Sequence, residues 1–205
     1  MQTSKLAVAS ATLWSSMVLA DSANLKIEGV IKPSACGISF AGDGLVDFGE
    51  LKAADMNHAD WTDLPGKRLD YSIACTAPTR VAMRWTDNRD GSSAVDSTAA
   101  YGLGLHRGEK IGASVINYVL PAMQADGAEA VLYRRDTAEW FPVSGLAHHY
   151  QARFGVNADP VTGPAAHQTY AGAVMFMTRV VPLRNLDLSE PVTIDGSATL
   201  SLEYL

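Results

Sequence analysis

The chain has 205 residues, of which 47% are hydrophobic and 19% charged. That is enough for one domain with a real core, leaves little room for two, and excludes a disordered chain. The formal charge is -6 with no basic cluster, which argues against nucleic acid as a partner.

In chain order, the first feature is Lys5 followed by the weakly apolar stretch LAVASATLWSSMVLA. Val18 and Ala20 occupy the small-residue positions of a cleavage site. This predicts a secretory signal over residues 1–20 and a mature domain over 21–205. The stretch is too short and too polar to span a bilayer, and no later segment approaches that length, so no transmembrane segment is expected. The mature chain would open with NLKIEGVIKPSAC, in which Leu25 and Ile27 share one face of an extended segment and Gly29 follows.

Cys36 and Cys75 are the two cysteines. In an exported chain they point to one disulfide. A zinc site is the competing reading, but two thiols without a nearby pair of histidines serve it poorly.

Strand patterns follow. LDYSIAC alternates with Leu69, Tyr71, Ile73 and Cys75 on one side, and VAMRWTD repeats this with Val81, Met83 and Trp85. YGLGLHR predicts a strand carrying Tyr101, Leu103 and Leu105. YQARFGVN carries Tyr150, Ala152, Phe154 and Val156. YAGAVMFMTRVV is apolar on both faces and reads as a central strand. VTIDGSATLSLEYL alternates from Val192 to Tyr204, and places Ala198, Leu200, Leu202 and Tyr204 on one face. Period-two alternation of this kind predicts half-buried strands. The links DNRDG (87–91), RGEK (107–110) and NADPVTGP (157–164) carry the residues that tolerate turn dihedrals. A short helical turn is expected near LKAADMN (51–57). The whole predicts an all-β, antiparallel sandwich in a single domain.

Catalytic and cofactor motifs do not appear. VSGLA (143–147) is not a nucleophile elbow, and there is no phosphate loop, dinucleotide fingerprint or metalloprotease helix. His148 and His149 would point to opposite faces of a strand and lack a carboxylate at ligand spacing. DNRDG places Arg89 where a calcium loop needs an oxygen ligand, so it reads as a hairpin turn. Glu139–Trp140 could stack on a sugar, although such residues more often pack a sheet face. No enzyme activity and no cofactor are expected.

The stretches GVIKPSAC, VDFGEL, LDYSIACTAPTRVAMRWTDNRDGS, YGLGLHRGEKIGA and TIDGSATLSLEYL touch most of the mature chain. Together, in that order, they resemble the pilin subunits of chaperone–usher fimbriae, and within them the β-type fimbrial subunits, a family long labelled a domain of unknown function. The resemblance implies an immunoglobulin-like sandwich that lacks its last strand. It implies three partners: a periplasmic fimbrial chaperone, an outer-membrane usher and neighbouring fimbrial subunits, which in turn lend the missing strand by β-augmentation. It also implies an interface at Ala198, Leu200, Leu202 and Tyr204, with the carboxylate of Leu205 gripped by the chaperone. One feature departs from the family pattern. Cleavage after Ala20 leaves 21–35 before Cys36, so Leu25, Ile27 and Gly29 would serve either as donor or as first strand.

The expected function is thus a structural subunit of a surface fimbrium, exported through the periplasm and supporting cell adhesion. The alternative is a self-complete secreted β-sandwich that binds a ligand such as a glycan. A periplasmic enzyme is a third reading, without convergent ionisable groups to carry it.

Overall fold

A computed structural model of the protein describes residues 35–135, 138–143 and 152–205. The expected signal at 1–20, the segment with Leu25, Ile27 and Gly29, and the pair His148–His149 lie outside the described residues.

The described chain is antiparallel sheet, with no helix beyond short 3₁₀ turns. In chain order the strands are β1 (Cys36–Phe40), β2 (Thr62–Asp63), β3 (Lys67–Thr79), β4 (Val81–Asp87), β5 (Ala100–Gly102), β6 (Leu105–His106), β7 (Glu109–Lys110) and β8 (Gly112–Tyr118). They continue with β9 (Gln124–Ala125), β10 (Ala128–Glu129), β11 (Leu132–Arg135), β12 (Phe141–Pro142), β13 (Arg153–Val156), β14 (His167–Val180) and β15 (Ala198–Tyr204). One sheet runs β1–β3–β14–β8–β5, with β2, β9 and β10 as short additions. The other runs β12–β11–β13–β4–β15, and β6–β7 is a separate hairpin.

The two sheets close on one core. Leu69, Tyr71, Ile73, Ile116, Tyr118 and Val174 come from the first sheet, and Val81, Met83, Trp85, Phe154, Val156 and Leu200 from the second. At its centre the Trp85 indole donates to the Tyr118 hydroxyl at 3.0 Å, and the Tyr118 ring lies 4.8 Å from that of Phe154. Burial pushes the hydroxyls of Tyr71 and Tyr118 well above the ordinary phenol range, so both stay neutral donors and acceptors. A second, smaller cluster gathers Leu64, Leu103, Ile111, Val180, Val181, Leu183 and Leu186.

The alternating strands β3 and β4 are where the sequence puts them. In β3 the residues Leu69, Tyr71, Ile73 and Cys75 are buried while Asp70, Ser72 and Ala74 are exposed. β14 is central, paired to β3 on one side and β8 on the other, as its two apolar faces require. The turn expected at 51–57 is a 3₁₀ turn at Ala53–Asp55.

Two expectations are corrected. YGLGLHR is not one strand. Gly104 takes a φ of 87°, which reverses the alternation, so Tyr101 and Leu103 are buried while Leu105 is exposed at 56%. The strand expected from Val192 begins only at Ala198. Val192 and Ile194 pack against the second cluster from a segment outside any strand, so their alternation records burial without a ladder.

Acid-sensitive clamps hold the loops. The Asp126 carboxylate accepts the amides of Thr169 and Gln168 at 2.9 Å and lies 2.8 Å from Nδ1 of His167. These contacts, the Thr169 amide foremost, hold Asp126 below its ordinary range. Asp159, Asp187 and Asp195 are lowered in the same sense by the Thr162 amide, the Ser189 amide and the Arg89 guanidinium respectively. A lowered carboxylate contributes stability above its unfolded value of about 3.9 and loses it as pH falls through the folded value. The urea midpoint of the purified protein is therefore expected to drop as pH falls below about 4. Asp126→Asn should show a smaller acid loss, and an equal loss would mean that the clamp does not couple to unfolding.

Candidate functional site

β15 is the end strand of its sheet, and among the described residues it pairs with β4 alone, from Ala198↔Asp87 to Tyr204↔Val81. β1 is the end strand of the other sheet and pairs with β3 alone, from Cys36↔Cys75 to Phe40↔Tyr71. The two edges lie on the same side of the sandwich. The Cys36 amide donates to the Tyr204 hydroxyl at 3.0 Å, and the Phe40 ring lies 6.0 Å from that of Trp85, which is the β4 partner of Leu200. β1 therefore runs antiparallel to β15 across the seam, with Cys36 level with Tyr204 and Phe40 towards Leu200.

Burial along the seam is incomplete. The inward residues of β3 and β4 are closed off from water, whereas Cys36, Ile38 and Phe40 of β1 and Ala198 and Leu202 of β15 are half-buried against the core. Each sheet edge also carries backbone groups that no described strand pairs. A strand laid along the seven residues of β15 would span about 23 Å at 3.3 Å per residue and would cover this apolar margin.

The residues expected at the interface are thus brought together, in unequal roles. Leu200 is part of the core at 7% exposure, and burying it contributes about 1.5–3 kcal/mol. Ala198 and Leu202 face the seam. Tyr204 is 54% exposed and meets β1 through its hydroxyl, and Leu205 is 50% exposed with its amide donating to the Arg80 carbonyl at 3.1 Å.

β15 keeps its register without an outer neighbour because both ends are pinned. At its start Asn88 Nδ2 donates to Ser197 Oγ at 2.9 Å and to Thr199 Oγ1 at 3.0 Å. Near its end Glu203 lies between Arg84 and Arg153, with Nε–O distances of 3.0 and 2.6 Å. Both pairs approach off the N–H axis, so they act as charge pairs more than aligned hydrogen bonds. These pins sit on the outer face and leave the seam clear. Sequence reading did not find them, because the partners are more than sixty residues apart in most cases.

Cys36 and Cys75 form a disulfide between directly opposed residues of β1 and β3. It ties the seam's β1 wall to the sheet. Trp140, the candidate for sugar stacking, is 2% exposed and packs with Ala82 and Ala158, so it closes a sheet face. Among the described residues no His, Cys, Asp or Glu cluster could hold a metal, and no helix is long and apolar enough to cross a membrane.

These features define an antiparallel, disulfide-tied β-sandwich whose two end strands, β1 and β15, meet along one side. Residues 25–104 match the model of a family described as a protein of unknown function, DUF1120. The match covers less than half of the chain and runs through β1 to β5, including both cysteines. No curated protein matches the chain.

Proposed function

We propose that this protein is a structural subunit of a surface fimbrium, exported to the periplasm, that completes its sandwich with a strand from a partner. The periplasmic chaperone lends that strand first, and a neighbouring subunit replaces it at the outer-membrane usher. The observation that carries the reading is the seam: two sheet edges on one side of the core, with Ile38, Phe40 and Leu202 left half-covered. Such a margin is costly in water and fits β-augmentation, in which backbone pairing supplies affinity and alternate side chains fill the groove. The disulfide at the β1 wall and the resemblance of the ordered motifs to β-type fimbrial subunits support it further.

The test is co-purification with a fimbrial chaperone from the same genome, using variants at adjacent positions of β15. Leu202→Asp places a charge in the seam and should abolish the complex. Ser201→Asp faces outward and should leave it intact. Equal co-purification of both variants would remove the seam from the interface.

A further inference from the structure

We propose that an aliphatic pocket formed by the segment after β14 binds a neutral, single-chain amphiphile by its alkyl tail. The pocket has a volume of about 380 Å³. Two segments outside any strand, 51–56 and 183–194, form it together with Ile111, which precedes β8, and Val180, which ends β14. None of its lining residues belongs to β1 or β15, so the inference does not rest on the fimbrial reading.

The lining has one chemical character. Ile111, Val180 and Leu183 are buried, Met56 and Val192 are half-buried, and Leu188 is 48% exposed at the lip. Apart from Ser189 and Glu190 every lining residue is apolar, and none is aromatic. The pocket belongs to the second, smaller hydrophobic cluster, which the strands alone do not close.

Its walls are held in place from three directions. The Leu183 and Arg184 amides donate to the carbonyls of Asn57 and His58, each at 3.1 Å, which joins the two wall segments. The Asp195 amide donates to the Leu103 carbonyl at 2.9 Å. The β6–β7 hairpin secures the stretch between these points: Arg107 pairs with Asp187 and, at 3.0 Å, with Glu190, and His106 Nε2 lies 2.8 Å from the Asp187 carbonyl oxygen. A pocket fixed in this way is preformed, which lowers the entropic cost of binding.

The lining and the volume select the occupant. A cavity of about 150 Å³ takes benzene, so this one takes a chain of about fifteen carbons, which a double-chain membrane lipid exceeds. With no ring to stack on, the walls offer dispersion contacts, and the Met56 thioether adapts to a flexible chain. At the lip the Ser189 hydroxyl serves Asp187 and Glu190 pairs with Arg107, so the polar groups are already engaged. No lining residue is a cation, so a carboxylate head would stand beside Glu190 without a partner.

The test uses the purified full chain with hexanol, octanol and decanol, and with decanoate as the charged counterpart of decanol. Calorimetry reads the affinity, and the methyl resonances of Ile111 and Val180 read the place. Each added methylene should tighten binding about fourfold. Decanoate should bind about fivefold more weakly than decanol. Val192→Trp fills the pocket from a half-buried position and should abolish decanol binding, with its melting temperature showing that it is folded. Leu188→Asp changes an exposed side chain, which leaves the fold intact, and should weaken decanol binding at least about fivefold. The proposal is overturned if affinity does not rise with chain length, if decanoate binds as tightly as decanol, if the methyls of Ile38 and Leu202 shift in place of those of Ile111 and Val180, or if Leu188→Asp or a folded Val192→Trp binds decanol as the parent does.

Discussion

Replacing both cysteines, as Cys36→Ala with Cys75→Ala, is expected to destabilise the domain by about 4 kcal/mol, from the chain entropy that a loop of this length releases in the unfolded state. The sequence separation closed by the bridge is 39 residues. Against a total stability of about 5–15 kcal/mol this is a large fraction, and it corresponds to a fall in melting temperature of about 8–16 °C for a chain of this size. The effect should concentrate at β1. That strand has one neighbour among the described residues, and its inward side chains are only half-buried, so the bridge is its strongest tie to the sheet. Thermal unfolding followed by circular dichroism checks the magnitude. Hydrogen exchange checks the place: amides of β1 should lose protection before those of β14. A melting temperature unchanged in the double variant would mean that packing alone fixes β1.

Much of the fold was legible because the half-buried strands write their burial into a period of two. β3, β4 and β14 read directly from their side chains, and so did the face of β15. What failed to read has physical causes. β8 is buried on both faces, so Gly112–Tyr118 shows no alternation. β1 spans only the five residues Cys36–Phe40, too few for a period of two to stand out. Val192 and Ile194 alternate because a satellite core takes them, and a residue's burial does not reveal its ladder partner. Leu105 fell out because Gly104 turns the chain by a positive φ that hydrophobicity cannot encode.

The candidate site divides the same way. The inward face of β15 was visible as Ala198, Leu200 and Leu202. The opposing wall was not, since Ile38 and Phe40 belong to a strand the pattern missed.

The other large effect expected is on accumulation of the chain itself. If the seam is the place of a missing strand, the chain alone exposes an apolar margin and two unpaired edges, a template for aggregation or uncontrolled strand exchange. A lent strand would bury Ile38, Phe40 and Leu202 and pair the edge of β15, and mass action would then stabilise the folded form. Losing residues 198–205 removes the wall on which that strand must pair, along with Leu200 from the core.

The most direct measurement is the soluble periplasmic yield of the chain expressed with and without a fimbrial chaperone from the same genome, with the 198–205 deletion as the third arm. The account predicts that the full chain accumulates only with the chaperone and co-purifies with it, and that the deletion abolishes the complex. A full chain that accumulates alone as a soluble, cooperatively unfolding monomer would show that the sandwich is complete, and would contradict the account.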